Sequence, residues 1–263
     1  MGDNSTTYSQ VAGKLQSNGG GFFNLPFWSL TRKELYTFSI SPAFYVITLF
    51  FLLFTSIFLF SFNNFFVKDQ ALLRPYFVMF PLSFVLVIPA LTMKTWAEER
   101  KLGSVEMLLT MPFSDWDLVL GKFFACFGAL CIMIVLTIPL PLSLLPLGFF
   151  DGGVIIAEYV GALLLGASAT ALGLLLSSLS KNQVSAFLGS AAIMLFVMFV
   201  NQVPFSQTVH PVLAAFFNFV SLSFHFESFA KGLLDTRDLL FFLLSAFLFL
   251  YLNTRVITFR KWS

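Results

Sequence analysis

Glu158 is the one carboxylate of this chain set inside a long apolar run, a turn past the start of the stretch that begins at Val154. A charged group at that depth is costly. It is kept where it handles protons, ions or a polar substrate group, or where it lies close enough to a helix end to reach interfacial water. Both readings fit Glu158, transport or gating on one side and a solvated structural acid on the other. Other candidates for chemistry are few. His210 and His225 stand apart in one loop, with Glu227 two residues past His225, and no His, Cys or carboxylate spacing has metal-ligand character. Cys126 and Cys131 lie in an apolar run and read as small hydrophobes. The chain has no phosphate-gripping glycine loop and no nucleophile elbow, so the expectation is a protein without catalytic, cofactor or metal residues of its own.

The densest polar chemistry is TWAEERKLGSVEMLLTMPFSDWDLVLGK, Thr95 to Lys122, set between two long hydrophobic stretches. Trp96 to Lys101 is expected to continue the preceding helix as a stub, which Gly103 interrupts. Ser104 is an N-cap candidate, and Glu106 in the first turn suits the helix dipole. Val105, Met107, Leu108 and Leu109 give that helix an apolar side before Pro112 ends it. Ser114 then caps a further start, with Asp115 and Asp117 in its first turn, leading through Gly121 and Lys122 into the next apolar run. The product is a short transverse helix tethered to two long ones. It serves either as a handle for a soluble partner or as a solvated loop whose charges only set topology.

The elements that hold these residues follow from composition. Of 263 residues, 58% are hydrophobic and 11% charged, and 37 are phenylalanine, with a mean hydropathy of +0.88. An ordinary soluble domain carries roughly 25% charge. This chain is therefore an all-α polytopic membrane protein. The net charge of +2, with basic residues scattered rather than clustered, argues against a nucleic-acid partner.

A membrane-crossing helix needs about 20 apolar residues. Six stretches meet this: about Ala43–Phe62, Pro75–Met93, Phe123–Leu147, Val154–Leu176, Val184–Val200 and Leu239–Thr254. A seventh run, Val212–Phe224, is too short and reads as an interfacial or re-entrant segment. Six spans place both termini on one side. Lys14, Arg32, Lys33, Lys94, Arg100, Lys101, Lys122, Lys181, Arg255, Arg260 and Lys261 fall on that side, against Lys68, Arg74, Lys231 and Arg237 on the other. The positive-inside rule then makes the termini and the charged segment cytoplasmic.

Residues 1–24 are polar and read as a disordered cytoplasmic tail with no cleaved leader, although Gly2 and Thr6 fit a loose acylation pattern. Asn24 to Pro42 reads as an interfacial amphipathic helix, with Phe27, Trp28, Leu30, Leu35 and Phe38 on its apolar side and Arg32, Lys33 and Glu34 facing water. A plain lead-in is the alternative. Pro139, Pro141 and Pro146 must kink or break the outer half of the third span, as a packed kink or as a flexing wall. In the fourth span Ala162, Gly166, Ala169 or Thr170, Gly173 and Ser177 form a row that lets another helix approach closely, and Ser185 with Gly189 repeat the pattern in the fifth. Asp151 with Gly152 and Gly153 reads as a turn.

EERKLGSVEMLLTMPFSDWDLVLGK resembles the E-E/R…G-T/S-x-E-x-L-L-x-x-P…G-K signature of ABC-2 type transporter permeases. SLSFHFESFAKGLLDTRDLLFFL, Ser221 to Leu243, is similar to the matching region of the gliding-motility-associated and nitrous-oxide-accessory branches. The likeness runs from about Phe27 to Trp262. It implies an ABC-2 transmembrane domain over residues 25–263: six spans, an N-terminal amphipathic helix, a cytoplasmic coupling helix and a re-entrant outer segment around His225 that closes the extracytoplasmic side. It further implies the permease subunit of an exporter in a bacterial inner membrane. Such a subunit pairs with a second permease chain, alike or different, and with two ATPase subunits that bind the ATP and Mg, and an accessory periplasmic or membrane protein is a further partner. The coupling helix would centre on Gly103 to Leu109, with Glu98, Glu99 and Arg100 at its approach, and Ser104 keeps the hydroxyl of the commoner threonine. Two rivals remain. One is a relative that transmits force to outer machinery and moves no solute. The other is a membrane-embedded lipid enzyme, for which Glu158 is the one polar candidate inside the spans.

Overall fold

A computed structural model describes residues 26–62, 73–101, 103, 114–147, 150–202 and 211–261. Every regular element among the described residues is helical. Six helical stretches are long and apolar enough to cross a membrane: Pro42–Phe60, Arg74–Lys101, Asp115–Leu144, Gly152–Leu179, Gln183–Gln202 and Thr236–Phe259. They coincide with the six expected runs: each begins earlier, spans one and three end two or three residues short of the expected ends, and the other four run past them. The chain is a multi-pass membrane protein.

Ahead of the first span lies α1 (Pro26–Ile40). Span one is α2 (Pro42–Ile57), opened by Pro42 in its first turn and ended by a π-turn over Phe58–Phe62. Span two is segmented into α3 (Arg74–Val78), α4 (Phe80–Thr92) and a stub, α5 (Ala97–Lys101). Span three is α6 (Asp115–Val135) followed by α7 (Pro139–Leu144). Span four is α8 (Gly152–Leu179) and span five α9 (Gln183–Phe199). Two short helices, α10 (Pro211–Val220) and α11 (Leu222–Ala230), occupy the seventh apolar run and precede span six, α12 (Thr236–Lys261).

The central element is α8, which packs against α4, α6, α9, α11 and α12. Of its most apolar stretch 72% is buried, and 67% of span two's, against 28% for spans one and five. The small-residue row explains how one helix serves so many neighbours. A Cβ on Gly161 would stand 2.5 Å from the Phe229 Cβ of α11, one on Gly166 2.5 Å from Leu130 Cδ2 of α6, and one on Gly173 2.7 Å from Thr92 Oγ1 of α4. Three neighbours approach three glycines along the helix; Gly166 and Gly173 belong to the expected row, and Gly161 lies outside it. Span five departs from the expectation. Ser185 and Gly189 are exposed, and nothing lies within 4 Å of a Cβ built on Gly189.

The proline-rich half of span three is broken as expected, between Val135 and Pro139. Pro139 and Pro141 remove the donors that would bond the Val135 and Thr137 carbonyls. Both carbonyls are recovered by tightened i→i+3 bonds, from Ile138 N to Val135 O at 3.1 Å and from Leu140 N to Thr137 O at 3.2 Å. Pro141 is buried and Pro139 exposed. Asp151 is more than a turn residue: its side chain accepts from Gly153 N at 2.9 Å and so caps α8.

Candidate functional site

The two roots of the Thr95–Lys122 segment meet at Lys122. Its side chain has 0% exposure, although it sits at the polar end of α6. The ammonium donates to Glu99 Oε1 at 2.6 Å, to the Thr95 carbonyl at 3.0 Å and to Glu34 Oε1 at 3.5 Å, and lies 4.8 Å from the centre of the Trp96 ring. An ammonium has three protons, and each finds an acceptor. The acceptors come from α1 and from the foot of span two, so one cation ties three elements together.

The sequence reading of α1 is corrected here. Leu30 is buried and Leu35 and Phe38 pack on the core, as expected, but Glu34 does not face water. It turns inward to Lys122 because α1 lies against α6. Thr31 Oγ1 donates to the Gly121 carbonyl at 3.2 Å, and a Cβ on Gly121 would stand 2.8 Å from Leu30 Cδ2. That close crossing brings the Glu34 carboxylate within reach of the next residue along.

Arg100, from the stub, makes the second tie. Its Nη1 donates to the Ser180 carbonyl and its Nη2 to the Ser178 carbonyl, both at 2.6 Å. A guanidinium on the last carbonyls of α8 satisfies acceptors the helix leaves open and opposes the negative end of its dipole. Arg100→Gln is expected to cost about 1.5 kcal/mol, read as a lowered unfolding midpoint in detergent, with Arg100→Lys intermediate because an ammonium cannot span both carbonyls. Two lighter ties complete the face. Lys94 Nζ donates to Ser41 Oγ at 3.3 Å beside α2, and Thr258 Oγ1 of α12 donates to Asp115 Oδ2 at 3.0 Å.

Gly103 and Ser114 act as expected. Gly103 has φ 70°, the left-handed value that ends the stub, and its N–H bonds the Arg100 carbonyl at 3.1 Å. Ser114 Oγ accepts from Trp116 N at 3.3 Å and starts α6. Glu98 is half-buried beside Glu99 on α5. Ser104, Glu106, Leu108 and Leu109 lie outside the described residues, as do residues 1–25.

On the opposite face, Glu158 is removed from the water that the sequence position suggested. It is fully buried, because α8 is capped seven residues earlier at Asp151 and covered by α11, and neither carboxylate oxygen has a hydrogen-bond donor. It borders a cavity of about 300 Å³ that Arg74 and Lys231 also line. His225 does not stand alone, and its partner is not Glu227. Its Nδ1 lies 2.7 Å from Asp238 Oδ1, its Nε2–H donates to the Phe219 carbonyl at 3.0 Å, and its ring stacks on Phe241 at 3.8 Å. One imidazole thus joins α10, α11 and α12. Asp238 lies thirteen residues on in the chain, in the first turn of α12, and the sequence reading did not single it out.

The sequence pattern of ABC-2 family transporter proteins matches residues 61–255, most of the membrane-spanning array. The chain belongs to the ABC-2 transporter family. It is a transporter membrane domain, the permease part of such a system, and ATP chemistry in this family implies a separate ATPase partner. No curated protein gives a significant match to the chain. The two roots of the Thr95–Lys122 segment are thus tied to α1 and α6 through Lys122 and to α8 through Arg100.

Proposed function

We propose that this permease exports a substrate through a dimer of permease chains, driven by two ATPase subunits that dock on the segment between spans two and three. In this reading both termini are cytoplasmic, the membrane is a bacterial inner membrane, and the helix expected around Gly103 to Leu109 is the handle. The observation that carries it is the junction at Lys122. A displacement of the segment passes through Lys122 into α1 and α6, and through Arg100 into α8, the helix against which most of the bundle packs. Load applied at one short element is delivered to the centre of the bundle. The likeness of Ser221 to Leu243 to the gliding-motility and nitrous-oxide-accessory branches supports an exporter whose outer face serves accessory machinery.

The test is direct. Leu108→Pro, inside the helix expected to start at the Ser104 cap, costs that helix about 3 kcal/mol, roughly a hundredfold in an equilibrium, and Glu106→Lys reverses the charge offered to the partner. Each is expected to abolish co-purification of the ATPase and permease-stimulated hydrolysis while the permease still inserts. Survival of both activities in both variants sinks the docking assignment. Vesicles that hydrolyse ATP yet move no solute would shift the reading to force transmission.

A further inference from the structure

Glu158 is the strongest unused chemistry of the molecule. It is fully buried, both carboxylate oxygens lack a donor, and it borders a cavity between the start of α8, the start of span two and the end of α11. A buried acceptor with no donor is destabilising until a donor reaches it. Two cations, Arg74 and Lys231, line the same cavity and are solvent-exposed. The other acid there, Asp151, already accepts from Gly153 N. The space therefore offers an unpartnered carboxyl group inside and, at its edge, Arg74 and Lys231, the latter bridged to Glu227 at 3.9 Å.

A second cavity of about 500 Å³ adjoins it and shares Arg74 and Ala230. Its apolar lining includes Val78, Leu82, Leu195 and Phe199, from spans two and five. Val78, Leu82 and Leu195 are exposed on the outside of the bundle, where a membrane protein meets acyl chains. The two spaces together describe an amphiphile: apolar tail, anion, then a hydrogen-bond-donating cation.

We infer that this paired site binds a zwitterionic phospholipid with a primary amine. Its ammonium meets Glu158, its phosphate meets Arg74 and Lys231, and an acyl chain lies along the groove between spans two and five. A trimethylated headgroup carries the charge but no N–H to donate. An anionic headgroup without an amine leaves Glu158 bare. A metal ion is disfavoured because no group of three His, Cys, Asp or Glu side chains converges among the described residues. The inference is independent of the docking proposal, since binding is read on the permease alone.

The experiment takes the full-length chain in detergent and measures retention of dioctanoyl phosphatidylethanolamine, phosphatidylcholine and phosphatidylglycerol by native mass spectrometry. The ethanolamine lipid is expected to bind about tenfold more tightly than either other lipid, a difference of about 1.4 kcal/mol. Glu158→Gln, which keeps the side-chain shape, is expected to erase that preference. Arg74→Gln is expected to weaken all three lipids together and preserve their order. Equal binding of the three lipids by the natural chain overturns the site and needs no variant. A preference that survives Glu158→Gln overturns the role of the carboxylate. Displacement of the lipid by acyl-free glycerophosphoethanolamine at equal concentration overturns the groove and leaves a soluble amine site.

Discussion

Lys122→Met is expected to destabilise the permease by about 3 kcal/mol and to uncouple any ATPase that docks on the Thr95–Lys122 segment. The methionine keeps the length of the side chain, so the loss isolates the charge. What it strands is specific: Glu99 Oε1, the Thr95 carbonyl and Glu34 Oε1 all lose the same donor in a site where the cation itself has no exposure. Removing one member of a buried ion pair costs far more than the pair contributes, because the remaining charge stays desolvated. The double variant Lys122→Met with Glu99→Met is therefore expected to recover much of the loss. Glu34→Gln, at the longest of the three contacts, is expected to cost only about 1 kcal/mol. Unfolding midpoints in detergent give the order. A Lys122→Met protein that melts with the natural chain removes the junction from the coupling argument.

The second large effect lies along α8. Gly161→Ala is expected to cost about 2–3 kcal/mol, the most severe of the glycine substitutions. Its new Cβ would meet the Phe229 Cβ at 2.5 Å and Cγ at 2.7 Å, and the Cβ is fixed to the α11 backbone, so no rotamer change relieves the closer contact. Gly166→Ala clashes with Leu130 Cδ2 at 2.5 Å, the far end of a flexible side chain, its other neighbours standing at ordinary contact, and is expected to cost about 1 kcal/mol. Gly189→Ala meets nothing and is expected to be neutral or stabilising, since alanine is the better helix former by about 1 kcal/mol. Midpoints measured on the three variants should rank in that order. If Gly161 and Gly189 tolerate alanine equally, α11 is not packed on α8 as described.

How much of the site was legible varied with the range of the interaction. The stub, Gly103, the Ser114 cap and the broken third span are local features. A left-handed glycine, a capping hydroxyl and a missing N–H act within a turn, and sequence spacing records them. The small-residue row of α8 was legible as a close-approach face at Gly166 and Gly173, but Gly161, where α11 crosses most tightly, lay outside that row. The same pattern in α9 meets no helix of this chain, because Ser185 and Gly189 face outward from it. Small residues permit a close approach; they do not compel one.

Hydrophobic run length was enough for the six spans, because in a bilayer each helix satisfies its own backbone and is recognisable without its neighbours. The charged segment and its flanking caps were legible for the same reason. Which charges pair was decided in three dimensions. Lys122 reaches Glu99 across 23 residues and Glu34 across 88. No spacing along the chain encodes either distance. The second depends on α1 crossing α6 at Gly121, where the absent Cβ lets Leu30 close in. His225 and Asp238, Arg100 and the end of α8, and the emptiness around Glu158 were set in the same way. Helices are written by local composition, whereas the partner of a buried charge is chosen by how the helices cross.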